Sequence, residues 1–307
     1  MDERAEGAER TRFSEAFRAA IRPHGTVQMI AALSLGGLGL LAVVAGQWPA
    51  GLSALDRGGS ALSFAGSGSP EEKTLIRTLA LAAWAVGTLL LARWSPLRTS
   101  FGARLPHGHR PWLMLVRLST LYVVAILLSK YVLSWVTSSS SSSVSTSYAG
   151  YSLSERLVSS VWASTWEETF DVAVPIGFAC VIWWAVRSLL APFGTLVGPP
   201  LRIPAWCLLA AGLGLVTRFF DHLYQGVDSA IAVVAVGLVA VGLFAWGRSV
   251  LPLIVGHFVY DVAVAARPVL PSGQLAGAVL DWVVLVLVLA LTWVSALLAS
   301  WAAKRGQ

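Results

Sequence analysis

Residues 228–247 read DSAIAVVAVGLVAVGLFAWG, and after Asp228 no ionisable side chain interrupts the run. At 1.5 Å of rise per residue, about 20 apolar residues cross the hydrocarbon core of a bilayer, so this stretch predicts a transmembrane helix. Working outward, comparable runs precede it at 26–48, 74–94, 112–136, 158–186 and 204–222 and follow it at 250–266 and 275–303. The expectation is an all-α, polytopic transmembrane helix bundle of about eight spans. The run at 250–266 is short and the boundary at 222–228 is soft, which leaves open a seven-span count or a re-entrant segment.

Composition points the same way. Of the 307 residues 56% are hydrophobic and 12% charged, with a mean hydropathy of +0.70, whereas a soluble domain carries roughly 25% charged residues. The formal charge of +6 comes from Arg scattered between apolar runs, which fits loops on the cytoplasmic face and argues against a nucleic-acid surface. Arg98, Arg104 and Arg110 fall between runs two and three, Arg187 and Arg202 between four and five, Arg248 between six and seven, and Lys304 and Arg305 at the end. An even number of spans with these loops inside puts both termini in the cytoplasm. The first apolar run is long enough to span and reads as an uncleaved anchor.

Four regions follow. Residues 1–25 form a cytoplasmic tail in which Phe13, Phe17, Ala20 and Ile21 fall at helical spacing, compatible with an amphipathic surface helix or a solvated tail. Residues 26–137 form a three-helix membrane region with spans nearly free of polar residues. Residues 138–154 open with six consecutive serines and form a flexible linker. Residues 155–303 form a five-helix core. Cys180 and Cys207, each inside an apolar run and without metal-ligand spacing, read as reduced packing residues. His107 and His109 read as residues of a solvated basic loop.

The ionisable residues inside apolar runs concentrate in the core. Glu167, Glu168 and Asp171 lie in the fourth run, Arg218, Asp221 and His222 at the end of the fifth, and His257 and Asp261 in the seventh. Each costs at least about 2.5 to 3.5 kcal/mol to place at a helix centre, so the group reads as a functional site. Glu167 with Asp171, Arg218 with His222, and His257 with Asp261 are four apart and share helix faces in pairs. Asp171, Asp221, Asp228 and Asp281 taken singly read as interface or structural residues. Paired carboxylates in a low dielectric suit proton transfer, a nearby His can share a water, and a His–Asp pair can donate to an oxyanion. The chemistry this suggests is amide hydrolysis inside the membrane.

Three motifs, W-E-E-T-F-D-V (166–172), R-F-F-D-H-L-Y-Q-G (218–226) and G-H-F-V-Y-D (256–261), resemble the CAAX prenyl endopeptidase and bacteriocin-processing (Abi) family of intramembrane glutamic proteases. That family carries Glu-Glu-x-x-x-Arg, a second helix ending in His, and His-x-x-x-Asn/Asp, in this order, and the HLYQG stretch looks like a bacterial branch. The resemblance covers roughly residues 155–270. It implies that Glu167 activates water together with His222, that Glu168 supports the pair, and that His257 with Asp261 forms the oxyanion side, without a metal. The substrate implied is a membrane peptide or protein, not specifically a prenylated one. Two positions depart from the pattern: the family's Arg falls at Val172, and its usual Phe before the second His falls at Arg218. Arg218, one turn before His222, is the expected substitute cation.

Other chemistries have less support. There is no HExxH, Gly66-Ser67-Gly68-Ser69 lies in a loop, and Tyr260-Asp261 lacks a GxGD partner. A Glu/His/His set leaves zinc as the runner-up to a cofactor-free site. The functional alternatives are a non-catalytic scaffold or bacteriocin-immunity relative, for which Val172 speaks, and a proton-coupled transporter, which lacks any visible internal repeat. The sequence is silent on oligomeric state.

Overall fold

The computed structural model describes residues 30–34, 36–41, 44–45, 69–92, 100–106, 110–136, 151–190, 203–223 and 226–266. The tail 1–25, the serine run, His107, His109 and the run 275–303 with Asp281 lie outside these residues. All regular structure among the described residues is helical. Helix α1 spans Pro70–Ala92, α2 Pro111–Val136, α3 Leu153–Glu167, α4 Val174–Leu190, α5 Ala211–His222, α6 Val227–Gly247 and α7 Leu251–Ala266. A π segment, Glu168–Ala173, joins α3 to α4, and a 3-10 turn, Ala205–Ala210, leads into α5. Residues 30–34 and 36–41 are also helical.

Three helical stretches are long and apolar enough to cross a membrane: Pro111–Val132, Leu153–Ser188 and Val227–Gly247. The other described runs depart from the expected spans for local reasons. Helix α1 opens with Glu71, Glu72, Lys73 and Arg77. The fifth run divides into the 3-10 turn and the 12 residues of α5, and the seventh is the 16-residue α7.

Helix α3 begins earlier than the apolar pattern suggests because Ser152 caps it. The Ser152 side chain accepts from the Glu155 amide while the Glu155 carboxylate accepts from the Ser152 amide at 2.6 Å, so two of the unpaired donors at the helix start are satisfied. Glu167 and Glu168 therefore lie in the middle of the 36-residue helical stretch, about 21 Å from its start, and not at a helix N-terminus. Pro175 accounts for the change of ladder just before it. It has no amide hydrogen to give the carbonyl four residues back, and the chain widens instead, with the Val174 amide bonding Thr169 five residues back.

Most of the helices share one main core, with two smaller clusters beside it. Helix α7 lies against α2 and α3, α6 against α2 and α5, and α5 against the π segment. Leu118, Tyr122 and Ile126 of α2 share this core with Val172, Ile176, Ala240, Phe244, Leu253 and Tyr260, so the front region contributes directly to the packing of the back region. Small residues set the closest approaches. A Cβ on Gly214 of α5 would overlap the carbonyl oxygen of Asp171, and one on Gly256 of α7 would come within 2.7 Å of the Ser119 carbonyl on α2.

The burial pattern is inverted relative to a water-soluble protein. Leu38, Leu75, Leu79, Leu128, Leu238 and Trp246 are more than half exposed, while Glu168, Asp171, Ser160, Ser164, Thr217 and Arg218 are at most 1% exposed. Apolar surface outside and polar groups inside is the arrangement that suits a lipid solvent.

Candidate functional site

Four elements converge on one buried polar cluster. Helix α5 runs antiparallel to the π segment, with Gly214 beside Asp171 and Arg218 one turn later beside the glutamates. The Arg218 guanidinium, 1% exposed, bonds Glu168 with both terminal nitrogens: Nη2 to Oε1 at 2.6 Å and Nη1 to Oε2 at 3.3 Å. Nη2 also reaches Glu167 Oε2 at 3.2 Å. A planar fork on a carboxylate is the strongest arrangement such a pair has. A bilayer interior makes it nearly obligatory, because either charge left alone there is strongly destabilising.

The two glutamates differ sharply in their surroundings. Glu168 is wholly buried, and its Oε1 accepts three hydrogen bonds: from Arg218, from the Tyr122 hydroxyl at 2.7 Å, and from His257 Nδ1 at 2.8 Å. Glu167 keeps 14% of its side chain exposed and, among the described residues, accepts one bond, from Arg218 at 3.2 Å. Its Oε2 stands 3.6 Å from His222 Nε2, too far for a direct hydrogen bond and near enough for both to hold one water.

The two histidines are set differently. His222 Nδ1 lies 2.9 Å from the Arg218 carbonyl on its own helix. A carbonyl only accepts, so Nδ1 carries the hydrogen, and in the neutral ring Nε2 presents its lone pair toward Glu167. His257, one turn before Asp261 on α7, bonds Glu168 through Nδ1. Its Nε2 is 3.6 Å from Asp261 Oδ2, beyond hydrogen bonding.

Six of the residues read as a site in the sequence lie together: Arg218, Glu167, Glu168 and His257 are joined by hydrogen bonds, with His222 3.6 Å from Glu167 and Asp261 3.6 Å from His257. Asp171 does not join them through hydrogen bonds. It is 1% exposed and neither carboxylate oxygen has a partner among the described residues. It lies in the π segment one turn after Glu167, beside the cluster without a hydrogen bond to it. His222 and Glu167 lie at one level, 3.6 Å apart.

Tyr122 is the residue the sequence reading missed. It comes from α2, in the region expected to be nearly free of polar groups, yet it is fully buried, donates to Glu168 and accepts from Arg218 Nη2 at 3.2 Å. The available signal was the polar trio Ser119, Thr120 and Tyr122 within an otherwise aliphatic stretch.

Glu167, Glu168 and His257 each present a ligand atom within 4.8 Å of the others, close enough to surround a metal ion. The donors fit a metal poorly, because the Arg218 guanidinium already engages both carboxylates and His257 Nδ1 is spent on Glu168. No protein-family model, curated protein or solved structure matches the chain. The resemblance to the glutamic proteases rests on the three motifs alone.

Proposed function

We propose that this chain is an intramembrane endopeptidase that hydrolyses a peptide bond of a membrane-associated peptide or protein with a water activated by Glu167, without a metal, in the manner of the glutamic proteases it resembles. The observation that carries the reading is the asymmetry of the glutamate pair: one carboxylate is saturated with donors, and its neighbour is partly open and faces the lone pair of a histidine.

Water held by Glu167 Oε2 and His222 Nε2 attacks the carbonyl carbon of the scissile bond and gives its proton to Glu167. His257, doubly protonated, keeps its Nδ1 hydrogen on Glu168 and offers its Nε2 hydrogen to the oxygen that becomes negative, with Asp261 Oδ2 3.6 Å from the same nitrogen. Glu167 then passes the proton to the departing amine as the C–N bond breaks. Arg218 holds both carboxylates in place and supplies the cation that the motif lacks at Val172. The same proposal takes the bundle as about eight spans in a bacterial cell membrane, both termini cytoplasmic.

One observation favours a second reading. Val172, where the family motif has Arg, is 1% exposed and packed in the core, as in a relative that kept the fold as a scaffold or immunity protein without chemistry. Cleavage of a membrane-peptide library by the purified protein in liposomes separates the two. The protease reading expects products from the wild type, none from Glu167→Ala or His257→Ala, and no effect of a chelator. Loss of activity with the chelator would assign the site to a metal, and the absence of any products would favour the scaffold.

A further inference from the structure

We infer that Tyr122 is a positioning residue that fixes the division of labour between the two glutamates, a step that rests on the cleavage reading above. Its hydroxyl sits between the two groups that define Glu168, donating to Oε1 at 2.7 Å and accepting from Arg218 Nη2 at 3.2 Å. Its ring stands edge-on to His257, with centroids 6.4 Å apart and planes at 82°. Among the described residues the hydroxyl makes no hydrogen bond to Glu167, which it meets only through Arg218 Nη2. The consequence is directional: Tyr122 binds Glu168 into the ion-pair core with one donor more than Arg218 and His257 supply, and so leaves Glu167 as the carboxylate that handles water.

The placement is structural in origin. Gly256 lets α7 approach α2 at this level, where a Cβ would come within 3.2 Å of Tyr122 Cβ. The phenol is thereby pressed against the site from a helix outside all three motifs.

A double-mutant cycle on thermal unfolding of the full chain in detergent tests this. It compares the wild type, Tyr122→Phe, Glu167→Gln, Glu168→Gln and the two double variants. The shift caused by Tyr122→Phe should add to that of Glu167→Gln, and should be largely absent in the Glu168→Gln background. Additive shifts with both glutamates would overturn the proposal, because a residue that only packs gives that result. Tyr122→Met, which removes the ring as well, replaces Tyr122→Phe should the latter not fold, and the same pattern decides. Where cleavage is measured, Tyr122→Phe should lower kcat by about tenfold, as for one lost hydrogen bond to a charged group, and leave KM within about twofold. A rise in KM alone would contradict the positioning role. If the wild type hydrolyses nothing, the cleavage reading fails by itself, and the cycle still decides whether Tyr122 acts through Glu168.

Discussion

Arg218 shows most clearly how the site is assembled at the scale of single residues. It brings a cation to both glutamates from a different helix, α5. Arg218→Leu leaves two buried carboxylates without their counter-charge and should destabilise the chain by about 3 to 5 kcal/mol, read as a large drop in unfolding temperature in detergent. The double variant Arg218→Met/Glu168→Gln removes both members of the closest pair and should recover a good part of that loss. If the double is no more stable than Arg218→Leu alone, the ion pair is not what holds the cluster together. The six charged and histidine residues were legible from sequence because ionisable groups in apolar runs are conspicuous and because Arg218 with His222 and His257 with Asp261 are each one helical turn apart. Tyr122 was not, because a tyrosine in a membrane span attracts no notice until its hydroxyl is seen to have two charged partners.

At the scale of elements, the decisive features are the π segment and the close packing of α5 against it. Periodicity along 158–186 marks a helix but cannot show where its ladder widens. That depends on Pro175, on the Asp171 carbonyl and on the neighbour packed beside it. Likewise the run at 204–222 reads as one span, although its first six residues wind as a 3-10 turn. Two glycines on α5 separate packing from propensity. Gly214→Ala forces a methyl into the Asp171 carbonyl, so α5 must shift and carry Arg218 off Glu168; a loss of about 1 to 3 kcal/mol is expected. Nothing lies within 4 Å of a Cβ on Gly212, and Gly212→Ala should stabilise by up to about 1 kcal/mol through helix propensity. Equal shifts for the two would mean that α5 is not seated on the π segment as described.

At the scale of the whole molecule, the account rests on inversion: leucines outward, carboxylates and guanidinium inward. The apolar excess that made this visible in composition also limits what composition resolves, since helices of 12 and 16 residues and membrane-length helices share the same letters. With Pro111–Val132, Leu153–Ser188 and Val227–Gly247 each able to cross a bilayer, the protein should stay with the membrane pellet through alkaline carbonate extraction, and release into the supernatant would contradict the inverted packing. The π segment, α5, α7 and α2 then place the buried polar cluster inside that apolar shell, and the proposed function assigns one glutamate to structure and the other to chemistry. Paired measurement of unfolding temperature and peptide-bond cleavage on Glu167→Gln and Glu168→Gln tests this most directly. Glu167→Gln, which loses one long hydrogen bond on a partly open side chain, should unfold within a few degrees of the wild type and cleave nothing. Glu168→Gln, which disrupts the three-donor carboxylate, should unfold far lower. A Glu167→Gln protein that still cleaves, or a Glu168→Gln protein as stable as the wild type, would contradict the account.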